Sequence, residues 1–264
     1  MTREKYYDII EKNIGVVLWH SFKLLSDLNH DTSVNVIIPE ECDQEKIPVL
    51  WLLHGMHGDH TGWCRKSSIE RYAGDFGIAV VCPDGENSYY TNMVYGKRYF
   101  DYVSDELVKF IRKTFRFSER REDNFICGLS MGGYGALHTA LMRPDRYSAA
   151  ASLSGVVDIV SRLQVCAWTH EARMVWGDDF KEAVKNCDAD IMWLAENFPK
   201  DVEKPRIYSC CGTEDTLYPI NVGFRDFMRN TDFDYTYDEG PGAHTWSFWD
   251  KWVRRAIKWM LEGR

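Results

Sequence analysis

The sequence predicts a mostly parallel, doubly wound α/β sheet with helices on both faces. Three observations carry this. First, Val49-Leu50-Trp51-Leu52-Leu53 and Ile78-Ala79-Val80-Val81-Cys82 are short continuous apolar runs, suited to strands buried on both faces. Second, such runs alternate with stretches of helical spacing, as in repeated βαβ units. Third, several runs end in Gly, His or Asp, the residue types that collect at strand carboxyl ends, where such sheets bind and react.

Taken in order, Val16 to Phe22 and Ser33 to Ile38 read as extended, with a turn at Asn29-His30-Asp31, which predicts an antiparallel start. The run at 49–53 empties into His54-Gly55-Met56-His57-Gly58-Asp59. Ser67 to Phe76 reads as a helix before the strand at 78–82. From Tyr99 to Phe115, Tyr102, Val103, Leu107, Phe110 and Ile111 share one helical face. Asn124 to Cys127 is a short apolar strand, and Tyr134 to Arg143 a helix stopped by Pro144. Strands follow at Ser148–Ser154, Arg206–Cys211 and Phe233–Tyr237, and a helix runs from Trp246 to Leu261. The chain reads as one domain over 1–264. Gly155 to Lys204 is too long for a simple connection and holds Trp168, Trp176, Trp193, Met174 and Met192. It is expected to form a helical lid, although each aromatic could equally pack against the body.

Composition narrows the function. The chain has 264 residues, 45% hydrophobic and 27% charged, as in an ordinary globular protein. A formal charge of −8 argues against a general nucleic-acid binder. No apolar run is long enough for a bilayer span, and charges in the first twelve residues interrupt any signal-peptide core. The eight cysteines include no Cys-x-x-Cys pair, which suggests a reduced, cytoplasmic protein. No nucleic-acid or membrane partner is expected, and homo-oligomerisation is left open.

The chemistry centres on Gly128-Leu129-Ser130-Met131-Gly132-Gly133, a Gly-x-Ser-x-Gly pattern between a strand and a helix. There the serine is forced into a strained turn that lifts its hydroxyl clear of the sheet. The flanking glycines avoid collisions that a Cβ would make. Serine needs a base to take its proton and a carboxylate to orient that base. In this topology the order is Ser, acid, His. His138 lies in the helix after Ser130 and His170 in the inserted segment. His244, in the loop before the last helix, is therefore the expected base. Asp215, just after the 206–211 strand, is the expected acid. Glu214 is the alternative, and Asp238 and Glu239 are weaker ones. Oxyanion donors are expected from the N–H groups of Met131 and Met56, with Gly55 supplying the turn. His54, His57 and His60 match no metal-site spacing, and no phosphate loop or dinucleotide fingerprint is present, so neither metal nor cofactor is expected. His54 is expected to pack behind the oxyanion loop.

Leu53-His54-Gly55-Met56, Tyr95-Gly96, Gly128 to Ala136, Gly212-Thr213-Glu214-Asp215 and His244-Thr245-Trp246 together resemble the esterase D-like esterases. The likeness is nearest to the bacterial tributyrin esterases. Feruloyl esterases, acetyl-xylan esterases and S-formylglutathione hydrolases are relatives. The resemblance runs from about residue 30 to the C-terminus and is thinnest over 155–204. It implies an α/β-hydrolase fold and a metal-independent carboxylesterase for short acyl esters of small molecules. It carries over Ser130 as nucleophile, Asp215 as acid, His244 as base, and Met56 and Met131 as oxyanion donors. In that reading Gly55, Trp63, Tyr95 and Trp246 bind substrate, with Trp168 or Trp176 as further lining of a small acyl pocket. The alcohol side is expected to open through Tyr89 to Tyr95.

Overall fold

A computed structural model describes residues 17–22, 28, 32–39, 46–165 and 167–263. Val16, the turn at Asn29-His30-Asp31, Cys42 and Cys166 lie outside the described residues. Eight strands form one sheet: β1 (Val17–Phe22), β2 (Thr32–Ile37), β3 (Val49–Leu53), β4 (Ala79–Pro83), β5 (Asn124–Leu129), β6 (Ala149–Leu153), β7 (Arg206–Gly212) and β8 (Tyr235–Gly240). Their order is β1-β2-β4-β3-β5-β6-β7-β8. β1 pairs antiparallel with β2, and β2 with β4, as the opening of the chain predicts. From β4 to β8 every pairing is parallel.

Period-two alternation explains the continuous apolar runs. In β3, Val49, Trp51 and Leu53 enter one core layer, while Leu50 and Leu52 enter the other. In β5, Ile126 faces the first layer, and Phe125, Cys127 and Leu129 the second. Both faces must therefore be apolar, which is why these strands do not alternate with polar residues. The first layer holds residues of the helices Met131–Met142 and Leu107–Thr114 and of the 155–204 segment. The second holds residues of the helices Ile69–Phe76 and Trp246–Glu262.

Three boundaries differ from the sequence reading. A short helix, Gly62–Lys66, precedes the expected one. The Tyr99–Phe115 helix contains a π-helical turn at Tyr102–Glu106, a widening that 3.6-residue periodicity does not reveal. β8 starts at Tyr235, because Phe233 is a buried core residue ahead of the sheet rather than part of it. The 155–204 segment folds as helices Ile159–Gln164, Thr169–Trp176, Phe180–Ala183 and Ile191–Glu196. It docks on the body through the backbone N–H groups of Val94 and Tyr95, which donate to the Val175 and Met174 carbonyls. The Tyr134 hydroxyl adds a bond to the Ala189 carbonyl at 2.7 Å.

Candidate active site

Ser130 sits between β5 and the helix Met131–Met142 with φ 54° and ψ −116°, a conformation that L-residues rarely adopt. The surrounding packing over-determines it, as strained residues require. Its N–H donates to the Leu153 carbonyl at 2.9 Å, and its own carbonyl accepts from Gly133 and Tyr134. A Cβ on Gly132 would stand 2.5 Å from the His54 carbonyl oxygen, and one on Gly128 would stand 2.1 Å from the Gly132 oxygen. Neither backbone can retreat, so only glycine allows this turn.

The carboxyl ends of β7 and β8 bring up the other two residues. Asp215 follows β7, and its Oδ1 accepts from the Leu217 N–H at 2.8 Å. Its side chain is fully buried, whereas His244 is partly exposed. The Nδ1–H of His244 donates to Asp215 Oδ2 at 2.9 Å and Oδ1 at 3.1 Å. With that proton on Nδ1, Nε2 is an acceptor, and the Ser130 hydroxyl donates to it at 3.0 Å. Burial alone would raise the pKa of Asp215. The hydrogen bonds from His244 and Leu217 outweigh it and hold the carboxyl below its ordinary value. An ionised carboxylate therefore fixes the imidazole tautomer.

Glu214 stands next in the chain but serves elsewhere. Its carboxylate accepts from the Gly242 N–H, and its own N–H donates to the Gly242 carbonyl at 3.1 Å. It thus clamps the acid loop to the base loop. Asp238 accepts from Tyr208 at 2.9 Å and Glu239 from Tyr218 at 3.0 Å. His138 is buried and stacked on Tyr134, and His170 lies in the helix Thr169–Trp176.

Met131 opens its helix, where the first N–H groups have no intrahelical acceptor. Gly55 brings the facing loop onto the elbow: a Cβ there would lie 3.3 Å from Ser130 Cβ and 2.5 Å from Leu129 Cδ1. Met56 follows it, half-buried against the core. His54 is the anchor of this loop. Its Nδ1–H donates to the Gly55 carbonyl at 2.8 Å, and Nε2 accepts from the Gly85 N–H at 2.9 Å. The Tyr90 hydroxyl closes the frame on the His54 carbonyl at 3.0 Å. The sequence points to His54 as a packing residue. The roles of Gly85 and Tyr90 leave no sequence signal, because they depend on the β3–β4 pairing.

One expected substrate residue is corrected. Trp63 has no exposed surface, and its indole N–H donates to the Leu53 carbonyl at 3.0 Å. A side chain without accessible surface cannot line a pocket; Trp63 is a core residue behind Trp246, whose ring it meets edge-on at 5.2 Å. Trp246 is half-buried and also meets Trp249, which packs edge-on to His244 at 4.8 Å. Tyr95 is exposed and its hydroxyl donates to Asp178, so it ties the 84–98 loop to the inserted segment. Trp176 packs against Tyr89 and Tyr134, and Trp168 is exposed beside His57. A cavity of about 460 Å³ opens beside the loop after β3, lined by His57, Gly58, Asp84, Glu86, Asn87, Met93, His170, Glu171 and Met174.

Comparison with known proteins gives the family and agrees with the fold. The family described as Putative esterase matches residues 26–260. An acetyl esterase of Caldicellulosiruptor saccharolyticus is 31% identical over 252 residues, covering 88% of this chain and 94% of its own. The fluorophosphonate-binding serine hydrolase F of Staphylococcus aureus superposes with a TM-score of 0.86 at 32% identity, covering 94% of this chain and 99% of that one. An S-formylglutathione hydrolase of the same organism gives 0.84 at 32% identity, with 94% and 99% covered. With a fold shared along nearly its whole length and a Ser–His–Asp constellation at the strand ends, the chain belongs to the Putative esterase family.

Proposed function

We propose that the protein is a serine carboxylesterase that hydrolyses short-chain acyl esters through an acyl-enzyme. The observation that carries this is the line Ser130 Oγ to His244 Nε2 at 3.0 Å and His244 Nδ1 to Asp215 at 2.9 Å. Ser130 attacks the acyl carbon while His244 takes its proton. Asp215 stabilises the imidazolium that forms without accepting the proton itself. The N–H groups of Met131 and Met56 receive the oxyanion, each donor contributing about 100- to 1000-fold. His244 then returns the proton to the departing alcohol. A water, deprotonated by His244, attacks the acyl carbon and frees Ser130 with release of the acid.

Short acyl chains are favoured by the bulk of Trp246 near the site and by the acetyl esterase relative. The 155–204 segment acts as a cap over the leaving-group side, with Tyr95 holding the edge of that opening. The described cysteines at 64, 82, 127, 187, 210 and 211 are free, which favours a cytoplasmic setting. No helix among the described residues is long and apolar enough to cross a membrane.

A thioesterase of the S-formylglutathione type is the second reading, suggested by the staphylococcal neighbour. The cavity beside the oxyanion loop favours the ester. Its lining carries Asp84, Glu86 and Glu171 with no Lys or Arg, a poor setting for the carboxylates of glutathione. A p-nitrophenyl ester series run beside S-formylglutathione tests both. Acetyl to butyryl esters are expected to exceed octanoyl by roughly 5- to 150-fold in kcat/KM, from overpacking of about 1–3 kcal/mol. An optimum at eight carbons or more would refute the small pocket. Faster turnover of S-formylglutathione than of every ester would favour the thioesterase.

A further inference from the structure

Two cysteines stand on the elements that hold the loop after β3. Cys64 lies in the helix Gly62–Lys66, directly after Trp63, which donates to the carbonyl at the end of β3. Cys82 lies in β4, three residues before Gly85, whose N–H holds His54. Both side chains pack in the same core layer. Asn35 measures their closeness independently. It is the cross-strand partner of Cys82 in the β2–β4 pairing, and its Nδ2 lies 3.6 Å from Cys64 Sγ. Directly opposed residues on one face of an antiparallel pair have Cβ atoms about 4.5–5.5 Å apart. Asn35 thus brings Cys64 and Cys82 side by side in that layer. Cys64 is half-buried, whereas Cys82 is fully buried.

The pair is chemically asymmetric. The neighbouring Cys82 thiol and the Asn35 amide favour the Cys64 thiolate against burial, so its pKa falls below the ordinary cysteine value. Cys64 beside it and burial push the Cys82 thiol well up. Cys64 therefore ionises first and is the sulfur that a solute can reach.

We propose that Cys64 and Cys82 are a peroxide-oxidation site, closing to a reversible disulfide that locks the frame of the oxyanion loop. The Cys64 thiolate attacks one oxygen of a hydroperoxide and becomes a sulfenic acid as the O–O bond breaks. The Cys82 sulfur then attacks Cys64 and expels water. With hydrogen peroxide the balance is two thiols and one peroxide to one disulfide and two waters. A disulfide needs its two sulfurs at about 2.05 Å, so closing it draws the helix Gly62–Lys66 and β4 together. Trp63 and Gly85 move with them, and both fix the loop that carries Met56. A displacement near 1 Å at reacting groups costs on the order of 100-fold.

The test is hydrogen peroxide treatment of the whole protein, followed by peptide mapping and p-nitrophenyl acetate turnover. A Cys64–Cys82 cross-linked peptide is expected, with turnover down roughly 10- to 100-fold and restored by dithiothreitol. Cys64→Ser and Cys64→Ala are expected to keep basal turnover and lose the response. Cys82→Ala is expected to stop at a Cys64 sulfenic acid that dimedone traps. Treated wild type without that cross-link would overturn the site, whatever the activity. A cross-link without loss of turnover would overturn its link to the oxyanion loop. That link rests on the esterase reading; the peptide map does not, so the two failures are distinguishable.

Discussion

The elbow around Ser130 and the inserted segment at 155–204 meet along one helix, yet they are held in opposite ways. The elbow is held by backbone against backbone: a Cβ on Gly132 would fall 2.5 Å from the His54 oxygen. The insertion adds side-chain packing to its two backbone bonds at Val94 and Tyr95. Trp176 packs against Tyr89 and Tyr134, Tyr134 reaches Ala189, and Tyr95 and Arg173 share Asp178. Backbone contact of the first kind has almost no alternative sequence and leaves a motif. Side-chain packing has many solutions and leaves none. The elbow should therefore fail at single changes that the insertion absorbs.

Ser130→Ala presses hardest on that contrast. Turnover of p-nitrophenyl acetate is expected to fall by about 10⁴-fold or more with the fold intact, because the three residues act as a unit. A fluorophosphonate probe should label wild type at Ser130 alone. Labelling elsewhere, or near-normal turnover in the variant, would remove Ser130 from the chemistry.

Gly132→Ala tests whether the elbow fails through its backbone. The added methyl pushes on the His54 and Leu53 carbonyls, and so on the loop proposed to supply an oxyanion donor. A loss of roughly 100-fold in kcat is expected from displacement alone, together with a lower Tm. Gly223→Ala is the control: nothing lies within 4 Å of its Cβ, in the helix Tyr218–Met228. It should gain about 0.5–1 kcal/mol from helix propensity. Equal losses at both positions would break the comparison.

His138 probes the helix that the two regions share. Burial pushes its imidazole down to about 4 from an ordinary 6.5, with Asp188 opposing. The unfolded chain therefore binds a proton that the folded one refuses between those values. Stability is full above pH 6.5 and falls as the pH drops through that window, by on the order of 3 kcal/mol in all. Urea midpoints measured at several pH values should show that fall flattened in His138→Phe. An unchanged slope would mean that the ring does not carry the acid sensitivity.

Tyr134→Phe asks how much one tie to the insertion is worth. It leaves the Ala189 carbonyl without the hydroxyl, at a cost of about 1–3 kcal/mol. Stability should drop by that amount while kcat stays within about twofold, as P-nitrophenyl acetate turnover would report. A large fall in kcat would show that the insertion positions the chemistry after all.

The sequence by itself determined the strands buried on both faces, since β3 and β5 supply a residue to each core layer in turn. It also determined the elbow, because only glycine permits the contacts at 128 and 132. The order Ser130, Asp215, His244 was readable for the same reason: each residue ends or follows a strand that periodicity marks. The sequence favours Asp215 over Glu214, its neighbour of like chemistry, but only tertiary structure separates their roles. One is turned inward to His244 and the other outward to Gly242. Tertiary structure alone placed Trp63 in the core behind a half-buried Trp246, since the Trp63 indole found a carbonyl at the end of β3. It alone set Cys64 against Cys82, eighteen residues apart, through the pairing of β2 with β4. These choices turn on which long-range partner a side chain meets, and local periodicity holds no record of that.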